Sequence, residues 1–165
     1  MATFTLNSDT FEDGQILPAA QRGAATGPGG RDESPPLSWG GAPAGTRSYA
    51  VTVFDPDAPG HGGFWHWAVL DIPADVTSLP AGAGAEGGRL LPAGAVQLKN
   101  DAGFHGYLGA APPPGHGPHR YVITVHALDI APSGLNEHTA QGSLEAKLSR
   151  HTLGRGTLTG IFERH

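Results

Sequence analysis

The chain has 165 residues, a formal net charge of −5 and no cysteine, which excludes disulfides and any cysteine-based metal site or nucleophile. Its 10 Lys and Arg residues never cluster beyond two, so no footprint for a nucleic-acid backbone exists. With 26 Gly and 15 Pro the composition opposes long helices and favours turns and ordered loops, and no apolar run reaches the roughly 18 residues of a membrane-spanning helix. The start, Met1 to Asp9, shows no basic stretch followed by an apolar one. A cytoplasmic protein without a transmembrane segment is therefore expected, folded as one domain over residues 1–165.

Taken in chain order, Phe4–Leu6 is a short strand candidate, and residues 19–36 form a Gly/Pro/Ala-rich loop. Arg47–Phe54 is the first full strand. Both of its faces are apolar, which predicts a buried, central position. Trp65–Ile72 follows. Strict alternation assigns His66, Ala68, Leu70 and Ile72 to one face and Trp65, Trp67, Val69 and Asp71 to the other. Residues 73–94 read as a second loop with its tip at 81–88, and Ala95–Lys99 as a weak strand. Arg120–Leu128 is the third clear strand, with Tyr121, Ile123, Val125 and Ala127 on one face. The spacing of Leu144 and Leu148 predicts a helix over 141–151, capped by Thr139 or Ser143 and ended near Gly154. Thr159–Glu163 closes the chain as a short strand. The class is mainly β, with helix confined to the edge.

Three segments carry polar residues at the ends of apolar strands. Asp55-Pro56-Asp57-Ala58-Pro59 places two carboxylates two residues apart, on one side of an extended chain. The same residues fit a turn whose Asp side chains accept from neighbouring backbone N–H groups. His66 stands between Trp65 and Trp67, either as a core histidine with one hydrogen-bonded partner or as a site residue. Gly106 to Tyr121 is a Gly/Pro-rich loop running into His119-Arg120-Tyr121. Such a loop can present backbone N–H groups to an anion, or can simply be rigid.

In this order, Asp-Pro-Asp-Ala-Pro, His-Trp, and Gly-Tyr through Pro-Pro to His-Arg-Tyr, the segments resemble the phosphatidylethanolamine-binding protein family, also described as Raf-kinase-inhibitor-like, and its bacterial branch in particular. Phe11-Glu12-Asp13-Gly14, Ser34-Pro35-Pro36-Leu37-Ser38-Trp39, Asn100-Asp101 with Gly103, and Leu158 to Phe162 extend the likeness over nearly the whole chain. The resemblance implies a large antiparallel sheet packed with a smaller sheet, peripheral short helices and a C-terminal helix. It also implies a pocket for a small anion or phosphorylated ligand formed by Asp55, Asp57, His66 and His119, with Pro59, Tyr107, Gly109, Pro113 and Tyr121 in or near the wall. No cofactor is implied. A kinase or protease partner is associated with the family's names, and a homodimer with its bacterial members. The sequence departs from the family pattern at Ala110, where proline is usual, which predicts a looser pocket edge. Asp71 and Phe162 also stand where Asn and Tyr are common.

Two histidines with a carboxylate also suit a metal-dependent hydrolase. Against this alternative, neither a His-Glu-x-x-His helix motif nor a Gly-x-Ser-x-Gly elbow is present. In the binding reading, carboxylates orient the imidazoles, protonated histidines balance the two aspartates, and affinity for phosphate rises as pH falls.

Overall fold

The computed structural model describes residues 4–60 and 62–165; Met1 to Thr3 and His61, one of the nine histidines, lie outside the described residues. Nine elements follow one another: β1 (Thr5–Asn7), β2 (Leu37–Gly40), β3 (Ser48–Asp55), β4 (Phe64–Pro73), β5 (Ser78–Leu79), β6 (Val96–Gln97), β7 (His119–Leu128), α1 (Gln141–His151) and β8 (Thr152–Phe162). Two single-turn 3-10 helices, Ala19–Gln21 and Ala24–Thr26, interrupt the first loop. The strands form two antiparallel sheets, a major one in the order β6-β4-β3-β7-β8 and a minor one in the order β1-β2-β5.

The apolar pattern explains this layering. Leu6, Leu37 and Trp39 from the minor sheet meet Tyr49, Val51, Val53, Trp67, Val69, Ile123, Val125 and Leu158 from the major sheet, and all are buried. The opposite face of the major sheet is sealed in part by α1. There Leu144 and Leu148 cover Ala50, Ala68, Leu70, Leu98 and Leu128. Strand β3 is therefore covered on both faces and paired on both edges, as its doubly apolar sequence requires. No helix among the described residues is long and apolar enough to cross a membrane.

Three local expectations are corrected. The residue preceding α1 is Ala140, with no side-chain cap. The Thr139 hydroxyl accepts instead from the Asn136 N–H at 3.0 Å, within the preceding turn. Gly154 does not end the helix, because β8 starts directly at Thr152 and runs eleven residues. The first half of β8 escapes sequence reading because glycines interrupt it. They are there for contact: a Cβ on Gly154 would lie 2.9 Å from Pro43 Cγ, and one on Gly156 would lie 3.1 Å from the Leu6 backbone N.

The third correction concerns β4. Its pairing with β3 shifts by one residue twice, between Val53 and Phe54 and between Tyr49 and Val51. Val53 pairs with Trp67 and Phe54 with Trp65, which leaves His66 as the extra residue of a β-bulge. His66 thus joins Trp67 on the face toward the minor sheet instead of alternating with it. The second shift lies at Asp71, whose φ of +57° marks the break. It returns Ile72 to the same core as Val69. The Asp71 carboxylate there accepts from the Ser133 N–H at 2.7 Å and the Ser133 hydroxyl at 2.8 Å.

Candidate functional site

Antiparallel pairing brings the end of β3 beside the starts of β4 and β7. Asp55 pairs with Phe64, and Phe54 with Val122. The polar residues that terminate three apolar strands therefore share one rim of the major sheet. At this rim opens a cavity of about 280 Å³, lined by Asp55, Ala58, Pro59, Phe64, His66, Leu108, Gly109, Ala111, Pro112, Pro113, His119 and Tyr121. Seven of the nine residues implied by the resemblance lie on it: Asp55, Pro59, His66, Gly109, Pro113, His119 and Tyr121.

The other two do not. Asp57 turns outward, and its carboxylate accepts from Arg120 at Nε, Nη2 and the backbone N–H, each at 2.9 Å. This fork holds the Asp57 carboxyl down at about 2, the Arg120 side chain being the main cause. Tyr107 lies beneath the wall, and its hydroxyl donates to the Gln21 carbonyl at 2.7 Å. Asp55 meanwhile adopts the turn geometry that its sequence allowed, accepting from the Asp57 N–H at 2.7 Å through Oδ1.

Asp55 Oδ2 lies 2.6 Å from His119 Nδ1, and both side chains are buried. The carboxylate accepts a hydrogen bond from Nδ1–H and fixes the ring. On the far side of the ring, His119 Nε2 lies 2.6 Å from Nδ1 of His116, an exposed loop residue. His66 is oriented differently. Its Nδ1 lies 2.7 Å from the Leu108 carbonyl oxygen, an acceptor, so Nδ1 carries a proton and Nε2 is left for the cavity. Burial lowers the pKa of His66, and the Leu108 carbonyl and Asp55 only partly oppose that effect. In the neutral form that burial favours, His66 offers a lone pair at Nε2. Of the four groups in the expected charge balance, Asp57 is already paired with arginine, and burial disfavours the charged form of His66. Tyr121, edge-on to His66 at 5.2 Å between centroids, is held in its protonated form by burial and by Asp55 and Asp57.

The loop wall is pinned more tightly than expected. The Ala110 N–H donates to the Gln21 carbonyl at 3.2 Å, and the Ala110 carbonyl accepts from the Gly23 N–H at 2.8 Å. A proline here could not make the first of these bonds, so the departure at Ala110 adds an anchor instead of loosening the edge. The Gly109 N–H donates to Asp32 Oδ1 at 2.8 Å and the Leu108 N–H to the His66 carbonyl at 3.0 Å. These loop amides are committed to the protein, so the expected anion cradle of backbone donors is largely spent.

Sequence reading missed His116 as a neighbour of His119, although both stand in the segment it singled out. It also missed Asp32, Leu108, Ala111, Pro112 and Phe64. Only the His-x-x-His spacing before β7 signalled any of them. Among the described residues, no three His, Cys, Asp or Glu side chains converge as a metal site.

Residues 7–163 match a family model described as phosphatidylethanolamine-binding protein. YbcL of Escherichia coli is 40% identical over 162 residues, spanning 98% of this chain and 88% of its own. YbhB of the same organism is 41% identical over 157 residues, spanning 95% and 98%. The crystal structure of YbcL, described as a new member of the mammalian PEBP family, superposes with a TM-score of 0.93 at 39% identity and covers 98% of this chain and 99% of that one.

Proposed function

The chain belongs to the phosphatidylethanolamine-binding protein family, and from that premise we propose that it is a binding protein for a small anion or a phosphorylated head group, and not an enzyme. The observation that carries this reading is the cavity of about 280 Å³ into which the buried Asp55–His119 pair, His66 and Tyr121 converge. Its volume sits near the small end of ligand pockets, roughly 300–1,000 Å³. Apolar walls from Ala58, Pro59, Phe64 and Pro112 strengthen the polar contacts at the base.

The ligand chemistry follows from the tautomers. Neutral His66 presents an acceptor at Nε2, which suits a ligand that brings its own proton: a singly protonated phosphate, or a head-group hydroxyl or ammonium. Tyr121 supplies a donor, and His119 another once its Nε2 carries a proton. The metal-dependent hydrolase alternative finds no support in this arrangement, since among the described residues no three His, Cys, Asp or Glu side chains come together as metal ligands.

Calorimetric titration of inorganic phosphate and of phosphoethanolamine into wild type and a His66→Ala/His119→Ala variant tests the reading. Binding is expected to wild type and to be lost in the variant. Equal binding by both proteins would place the ligand elsewhere and sink it.

A further inference from the structure

Resting on the anion-pocket reading, the geometry points to His116 as a specificity-determining residue of the site: a latch that holds His119 Nε2 and must release it before an anion can bind. The 2.6 Å separation of His116 Nδ1 from His119 Nε2 leaves room for one shared proton. Asp55 fixes the other end by accepting from Nδ1–H of His119. With the pair uncharged, His119 Nε2 is an acceptor and His116 donates to it, so the polarity is wrong for an anion. With one added proton, Nε2–H donates to His116 and is still occupied. With both rings charged, two N–H groups face each other and the contact breaks. Only then is an unoccupied N–H of His119 presented at no cost.

The loop is built to allow such a release. His116 is exposed, and Gly115 and Gly117 on either side adopt φ values of +75° and +90°, with nothing within 4 Å of where a Cβ would stand on either. The loop is tied at its base, where the Gly115 N–H donates to the Arg164 carbonyl at 2.8 Å. The charged and titratable groups around the pair are Asp55 on His119 Nδ1, Tyr121 stacked on the His119 ring, His66 on β4, and Asp57 in the turn after β3 with Arg120 forked onto it, while Arg164 reaches the Pro112 carbonyl in the same loop.

The test compares wild type with His116→Ala, titrating inorganic phosphate at about pH 8 and about pH 5, values that bracket ordinary imidazole protonation. The variant is expected to bind about three- to tenfold more tightly at the higher pH, the effect of one net hydrogen bond released. The gap between the two proteins should narrow at the lower pH, because a proton on both rings is what opens the contact. Weaker binding by the variant would make His116 a direct ligand contact and overturn the latch. Equal binding at both pH values would overturn it while leaving the pocket intact. If neither protein binds phosphate at either pH, the anion reading falls and takes with it the role assigned to His116. Imidazole nitrogen NMR of the ligand-free proteins reads the contact independently. The His119 ring-nitrogen signals should move on His116→Ala, and unmoved signals would overturn the latch with no ligand involved.

Discussion

His119 and His126 stand on the same strand, on opposite faces of the same sheet, and are buried to a similar degree. Their surroundings differ. His119 has a carboxylate on one ring nitrogen, an imidazole on the other, and a cavity beside it. His126 has only the Thr52 hydroxyl, 3.0 Å from Nε2, while its Nδ1 is buried without a protein partner. Burial pushes the pKa of His126 down to about 4, with Arg155 adding to the effect. Burial alone therefore makes a histidine inert. An open volume beside the ring is what His119 and His66 have and His126 lacks, and His119 adds a carboxylate partner.

The contrast can be broken by removing the two partners. Asp55→Ala strips a buried imidazole of its carboxylate and should cost about 3–5 kcal/mol in denaturant unfolding. Thr52→Val, at the other histidine, should cost only about 1 kcal/mol. Comparable losses would mean that the two environments are energetically alike.

Acid titration sharpens the same comparison. The folded pKa of His126 lies below its unfolded value, so the unfolded chain binds more protons between them and stability rises with pH. On acidification from about pH 6.5 to about pH 4 the protein should lose roughly 3 kcal/mol through this group, because one proton taken up only by the unfolded chain costs about 1.4 kcal/mol for each pH step of one. His66, also depressed by burial, acts in the same direction. His126→Gln should flatten the profile, and an unchanged slope would show that other groups govern acid unfolding.

The smallest effect is expected at the rim. The Arg120 side chain is 57% exposed, and a solvated pair of this kind adds little stability. Arg120→Ala should leave the thermal midpoint almost unmoved and change phosphate affinity by less than about threefold, a change smaller than one net hydrogen bond commonly gives. A larger loss of affinity would bring Asp57 and Arg120 into the binding site.

Much of the fold was legible because β3 and β7 obey simple periodicities, and because Leu144 and Leu148 mark the buried stripe of α1. The candidate site was legible as an ordered set of strand-end motifs, seven of whose nine named residues line the cavity. Its geometry was not. Alternation along β4 misplaces His66 and Ile72, since a bulge leaves no trace in hydrophobic pattern when both faces are apolar. Asp57 looked equivalent to Asp55, and only the position of Arg120 separates them. Ala110 looked like a weakness because an amide proton's partner, Gln21, lies far away in sequence. Gly154 looked like a helix end because Pro43, which its missing side chain admits, lies far away in sequence.

The bulge at His66 also bears on how such a pocket can be lost. One supernumerary residue turns an imidazole toward the cavity, and everything beyond it in β4 is kept in phase by its own pairing. Deleting that single residue would restore a regular ladder where the end of β3 meets the start of β4, leaving the second shift at Asp71 in place. The sandwich would keep its layers while the pocket lost one of its two histidines. Architecture and ligand recognition are thus written in separable lengths of chain, and a lineage of this protein could discard the second without disturbing the first.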